Sequence, residues 1–215
     1  MIPEHPVRRL AIATTDGVDL RAEAAEPTTV SAAAVVCHPH PLHGGSMYAN
    51  VVEALFRALP EHEVAVLRFN FRGTSGSTGR HDHGRAERLD VAAALDLAAH
   101  RWPGVPLLLA GYSFGADVSL AVEHPAVTAR LAVAPILRVV ERDELAGLDG
   151  GPPLWVVAAA HDQFHPYDEL RAALDGADGG RGRIRVARVE GADHFFAVGL
   201  DQVVASGLEA LGLAP

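Results

Sequence analysis

The stretch Leu107 to Val122, LLLAGYSFGADVSLAV, constrains this chain more than any other. Pro106 to Ala110 is a continuous apolar run, the pattern of a strand buried on both faces. It stops at Gly111-Tyr112-Ser113-Phe114-Gly115, and Ala116, Val118, Leu120, Ala121 and Val122 follow in a helical pattern. Strand, sharp turn and helix with a serine at the apex is the G-x-S-x-G arrangement of a nucleophile elbow. The turn imposes strained backbone angles on Ser113, and Gly111 and Gly115 leave room where a Cβ would meet neighbouring backbone. The hydroxyl is then held above the sheet edge, and the helix start behind it favours developing negative charge.

The rest of the chain alternates strand and helix signals. Val7 to Ala13 and Asp19 to Ala25 flank Thr15-Asp16-Gly17, a turn signal, and predict an N-terminal hairpin. Ala32 to Cys37 predicts an interior strand, with a helix from about Ser46 or Asn50 to Leu59. Val64 to Phe69 predicts a strand, and Arg85 to Trp102 has helical spacing through Leu89, Ala93, Leu95 and Leu97. Further strands are expected at Arg130 to Ala134, Leu154 to Ala159 and Ile184 to Val189. Helices are expected at Tyr167 to Leu174 and Ala197 to Leu211. Such alternation implies an α/β fold, a mostly parallel sheet with helices on both faces. Ligands of such sheets sit beyond the carboxyl ends of the strands. The 215 residues predict a single domain, 1–215.

Charge and residue types remove several functions. A net charge of -9 argues against nucleic acid and anionic membrane surfaces as partners. All 18 basic residues are arginine, so a lysine Schiff base, a P-loop lysine and a Ser-Lys dyad are excluded. Cys37 stands alone, which fits a reducing compartment, and the N-terminus lacks the shape of a signal peptide. No apolar run approaches membrane-spanning length. The expectation is a cytoplasmic protein, with oligomeric state left open.

A serine nucleophile needs a base, and the base an orienting acid. Behind an elbow the chain order is Ser, acid, His. His161-Asp162-Gln163-Phe164 follows the strand Leu154 to Ala159, and Gly191-Ala192-Asp193-His194-Phe195-Phe196 follows Ile184 to Val189. Asp162 and His194 therefore stand past strand ends in that order. Asp168, inside a helical pattern, and Asp193, adjacent to His194, are the runner-up acids. His161 is a weaker candidate for the base, while His5, His62, His100 and His124 are expected at the surface.

Backbone N–H groups must also face the developing oxyanion. One is expected from Phe114, after the nucleophile, and one from the loop after Ala32 to Cys37. In His38-Pro39-His40-Pro41 the prolines have no N–H, so His40 or Leu42 remains, and His40 is preferred. His38, His40 and His43, with His81 and His83, raise a metal site, but no acidic residue is interleaved with the first three, and no metal is expected. Arg72 could bind a substrate carboxylate; a structural anchor for neighbouring carbonyls is preferred.

With these residues in place, the chain resembles the α/β-hydrolases. More narrowly it resembles small lid-less bacterial predicted hydrolases related to dienelactone hydrolase. The motifs that carry this are the CHPHP-x-x-GG loop at Cys37 to Gly45, RFNFRG at Arg68 to Gly73 and DHG at Asp82 to Gly84. The elbow and the GADHFF loop complete the set. In that family the acid loop reads G-D-x-D; here Ala160 stands at the first acid position and Asp162 at the second. The resemblance implies an α/β-hydrolase fold without a cap domain and a triad of Ser113, Asp162 and His194. It implies hydrolysis of a small-molecule ester or thioester through an acyl-enzyme, with no cofactor. Leu42, Tyr112, His161, Phe164, His165 and Phe195 are the expected pocket residues. Acyl transfer or peptide hydrolysis on the same triad is the alternative, and a non-catalytic binding module on this scaffold is a weaker one.

Overall fold

Alternation along the strands decides which way each side chain is buried, and through it the layering of the molecule. The computed structural model describes residues 5–141, 144 and 148–213. In chain order the elements are β1 (Val7–Ala13), β2 (Asp19–Ala25), β3 (Ala32–Cys37), α1 (Asn50–Ala58), β4 (Val64–Phe69) and α2 (Glu87–Arg101). Then come β5 (Leu107–Tyr112), α3 (Phe114–Leu120), β6 (Val127–Val133), β7 (Leu154–His161), α4 (Tyr167–Asp178), β8 (Ile184–Asp193) and α5 (Leu200–Ala210). They form one eight-stranded sheet in the order β1-β2-β4-β3-β5-β6-β7-β8. The hairpin β1–β2 and the β2–β4 pair are antiparallel; every pairing from β4 to β8 is parallel.

On β3, Ala32, Ala34 and Val36 face α1 and α5, together with Val51, Leu55, Val203 and Leu208. Ala33, Val35 and Cys37 face the other side, with Val91, Leu95 and Val118 of α2 and α3. The central strands are thus buried on both faces, which is why they read as unbroken apolar runs. Leu170 and Leu174 of α4 close the sheet toward β7. The fold is that of an α/β-hydrolase. Between Pro135 and Pro153 the chain is too short to build a cap, and a 3-10 turn, Leu148–Gly150, is among its described parts.

Element limits differ from the sequence reading where backbone pairing or a glycine intervenes. β5 runs on to Tyr112 and β6 starts at Val127 because both are paired with neighbouring strands. α4 continues past Leu174 to Asp178, since Ala177 stays buried, and ends at Gly179 in the left-handed region (φ 56°). α5 begins at Leu200 rather than Ala197, because Gly199 at φ 86° cannot continue a right-handed helix backwards. Among the described residues no helix is long and apolar enough to cross a membrane.

Candidate active site

The elbow is closed by contact as tight as backbone allows. Ser113 sits at φ 54°, ψ −118°, between the end of β5 and the start of α3. Its own N–H is tied to the Val133 carbonyl at 2.8 Å, which locks the apex to β6. A Cβ on Gly111 would lie 2.3 Å from the Gly115 carbonyl oxygen, and one on Gly115 would lie 2.5 Å from the carbonyl oxygens of Cys37 and His38. Glycine is required at both positions because no side chain survives such distances.

The three residues that follow the order Ser, acid, His meet at the sheet's carboxyl edge. Ser113 Oγ lies 2.8 Å from His194 Nε2. His194 Nδ1 lies 2.8 Å from Asp162 Oδ2. All three are nearly buried. Asp162 Oδ1 accepts the N–H groups of Phe164 at 2.8 Å and His165 at 3.2 Å. Burial pushes the Asp162 pKa up; the hydrogen bonds from His194 and from the Phe164 and His165 N–H groups outweigh it, and the carboxyl stays below its ordinary range. An ionised Asp162 accepts the Nδ1–H of His194, which leaves Nε2 as the nitrogen free to accept from Ser113. The arrangement can deprotonate Ser113 and keep the resulting imidazolium paired.

The competing residues are elsewhere. Asp168 is exposed in the first turn of α4. Asp193 Oδ1 accepts the Phe195 N–H at 3.0 Å, forming a local turn. His161 ends β7 with an exposed side chain, opposite Asp193 in register. It stands at the surface beside the acid loop. Tyr112 is buried, and its hydroxyl donates to the His194 carbonyl at 2.8 Å, a prop beneath the histidine loop. Phe164 and Phe195 flank the imidazole at 4.6 Å and 5.8 Å between ring centroids, both substantially exposed. His165 is half-buried, and its backbone contacts the acid.

On the other flank, the His40 Nδ1 accepts the Leu42 N–H at 3.2 Å, and the His40 carbonyl accepts from His43 and Gly45. The Leu42 N–H is thus spent, whereas the His40 N–H has no acceptor among the described residues. Leu42 itself is exposed on the rim. Phe114 is the first residue of α3, where N–H groups lack intrahelical acceptors.

His38 is removed from any ligand role by its own bonds. Its Nε2 accepts the Phe71 N–H at 2.9 Å, so the proton is on Nδ1, which lies 2.6 Å from the Pro39 carbonyl. Among the described residues no group of three or more His, Cys, Asp or Glu is placed to hold a metal ion. Arg72 is an anchor, though to carboxylates rather than carbonyls: its guanidinium bonds Asp90 at 2.7 Å and Asp16 at 2.8 Å. Asn70 Oδ1 accepts the Met47 N–H at 2.9 Å, so Asn70 and Arg72 of the RFNFRG segment brace the loops around the site.

Two supporting residues had no signal in the sequence. Asn50 Nδ2 donates to the carbonyls of Phe195 and Phe196 at 2.8 and 3.0 Å, pinning the histidine loop to α1. Asp117, fully buried in α3, accepts four N–H groups from Ile136 to Val139 and holds the segment after β6. Both act across more than 18 positions of sequence, and neither stands in a recognisable motif.

The chain is similar to known proteins along most of its length. The family described as serine aminopeptidase, S33, matches residues 32–166. An uncharacterised protein of Rickettsia prowazekii is 32% identical over 169 residues, 76% of this chain and 71% of the relative. An α/β serine hydrolase homologue from Coxiella burnetii superposes with a TM-score of 0.81 at 32% identity, covering 92% of this chain and 95% of that one. A lid-less α/β serine hydrolase from Xanthomonas campestris does so at 0.81 and 26% identity, covering 99% and 96%. The chain belongs to the serine aminopeptidase S33 family and is an α/β serine hydrolase.

Proposed function

We propose that residues 1–215 act as one domain that hydrolyses a small ester or thioester through an acyl-enzyme on a Ser113–His194–Asp162 triad. The observation that carries this reading is the unbroken chain Ser113 Oγ–His194–Asp162, with both links at 2.8 Å. Ser113 attacks the acyl carbon while His194 Nε2 takes its proton. Asp162 fixes the ring and stabilises the imidazolium. The His40 and Phe114 N–H groups receive the oxyanion. His194 then returns the proton to the leaving oxygen or sulfur, and a water activated by the same nitrogen releases the acid. No cofactor takes part. The uncapped strand ends suit short or exposed acyl groups, and a dienelactone hydrolase-like relation fits the cysteine-to-glycine loop at Cys37 to Gly45.

A fluorophosphonate should label Ser113, and Ser113→Ala should lose roughly a million-fold in kcat, the size measured for the subtilisin nucleophile. A panel of p-nitrophenyl esters, acyl-CoA thioesters and p-nitroanilides measures the bond type; anilides turned over fastest would favour peptide hydrolysis instead. Label confined to another serine would overturn the nucleophile.

A further inference from the structure

The two flanks of Ser113 differ in chemistry, and the reaction assigns a part of the substrate to each. His194 and Asp162 follow β8 and β7, on one side of β5. Because His194 Nε2 must reach the leaving atom, the leaving group lies on that side, against Phe164 and Phe195. The acyl chain then points the other way, toward the loops after β3 and β4. Those loops enclose a cleft of about 570 Å³ whose lining includes Leu42, Arg80, His81 and His83.

Imidazoles cluster along that side, tilted or edge-on to one another. The rings of His40 and His81 are 4.9 Å apart, those of His81 and His83 5.0 Å, and those of His40 and His43 4.6 Å. The chain meets the oxyanion side of the site at Phe114, 4.9 Å from His40 and 5.3 Å from His81. The His81 side chain is only 6% exposed, and its Nε2 has no hydrogen-bond partner among the described residues. Its Nδ1 lies 2.8 Å from Glu87 Oε1, but both Glu87 oxygens already accept backbone N–H groups, from Asp82 and Gly84. Arg80 is exposed and has no ion pair among the described residues. A protein of net charge -9 thus gathers N–H donors and an exposed guanidinium around the loop that carries the His40 N–H. Burial lowers the His40 pKa, and the neighbouring imidazoles His81, His43 and His83 push it the same way, while Glu87 opposes them. An anion in the cleft would accept from the open donors.

We infer that this cleft is an acyl-side subsite for an anionic terminus, so that the preferred substrates are esters of short acids whose far end carries a carboxylate. The inference rests on the proposed ester hydrolysis and specifies its substrate class. Two ester pairs test it. Monoethyl succinate against ethyl levulinate places a carboxylate or a neutral ketone at the end of the acyl chain. Acetoxyacetate against 2-methoxyethyl acetate places the charge on the alcohol side instead. The kcat/KM ratio of the first pair should favour the succinate and should fall about tenfold in Arg80→Ala, the scale of one lost hydrogen bond to a charged group. His83→Ala should lower the same ratio. The ratio of the second pair should not respond to either variant. No preference for succinate, or an equal response in the alcohol-side pair, would overturn the subsite.

Binding can be read without turnover. In Ser113→Ala protein titrated with succinate, the ring 15N resonances of His40, His43, His81 and His83 should shift and saturate. Shifts confined to other histidines, or none, would overturn the assignment. If no ester is hydrolysed at all, the ester reading fails, and this titration still decides whether the anion site exists.

Discussion

At Ser113 a non-glycine residue holds φ 54°, a conformation that costs of the order of 1–3 kcal/mol and survives only when its surroundings enforce it. Here the enforcement comes from the Val133 carbonyl on the Ser113 N–H and from glycine contacts on either side. In the proposed triad Asp162 acts through charge and tautomer rather than shape. Asp162→Asn keeps the size of the side chain but can turn an N–H toward His194 Nδ1. The ring must then present its proton at Nε2, where it can no longer accept from Ser113. Activity should drop on the order of ten-thousand-fold, as for the corresponding trypsin change, with the circular dichroism spectrum unaltered. Asp168→Asn and Asp193→Asn should each remain within a few-fold of the parent. An active Asp162→Asn beside a crippled Asp193→Asn would show that the acid is wrongly assigned.

At the scale of elements, loops are held by single buried side chains. Asp117 reaches from α3 to four successive N–H groups, at 2.8 to 3.2 Å. Burial pushes its pKa up against the pull of those four donors. This carboxylate does for residues 136–139 what a strand partner would do for a regular segment. Asp117→Asn replaces one acceptor oxygen with a donor facing N–H groups already in place. The variant should lose about 3 kcal/mol in urea unfolding, the range for a buried charged hydrogen bond left unmet. An unchanged midpoint would mean that water substitutes for the carboxylate. Asn50 plays the parallel part for the histidine loop, where it clamps the backbone rather than any side chain.

For the molecule as a whole, the response to acid follows from a histidine that takes no part in the chemistry. Burial holds His38 neutral, with its pKa lowered to about 4, despite the opposing hydrogen bond to the Pro39 carbonyl. In the unfolded chain it titrates near 6.5. Above that pH neither state carries the proton, and the contribution to stability is complete. As pH falls from about 6.5 toward 4 the unfolded chain takes up a proton that the native state refuses, so stability is lost. Between pH 7 and pH 4.5 this one group should cost the fold roughly 2 to 3 kcal/mol. His38→Gln should be less stable at pH 7, because two hydrogen bonds are disturbed, yet lose less stability on acidification. Parallel pH slopes for the two proteins in urea unfolding would show that other groups dominate. The Arg72 network with Asp90 and Asp16 ties the strand ends to α2 and to the β1–β2 turn. It belongs to this same framework of stability.

What could be read from the sequence was local. The apolar runs of β3, β5 and β7 stand out because burial on both faces removes every polar residue from a strand. The elbow stands out because two glycines are required within five positions. The order of Ser113, Asp162 and His194 was legible because each follows a strand, and strand ends share one edge of a parallel sheet. The reach of β7 and β8 was not, since pairing carries both strands through polar residues as far as His161 and Asp193. Nor could the sequence say which histidines meet. His38 and His40 are two positions apart in one His- and Pro-rich loop. Tertiary packing turns one into a buried acceptor for the Phe71 N–H and leaves the other at the head of an imidazole row. Residue type fixes which protons and lone pairs a side chain owns. Only the fold decides which of them find partners and which are left to meet a substrate.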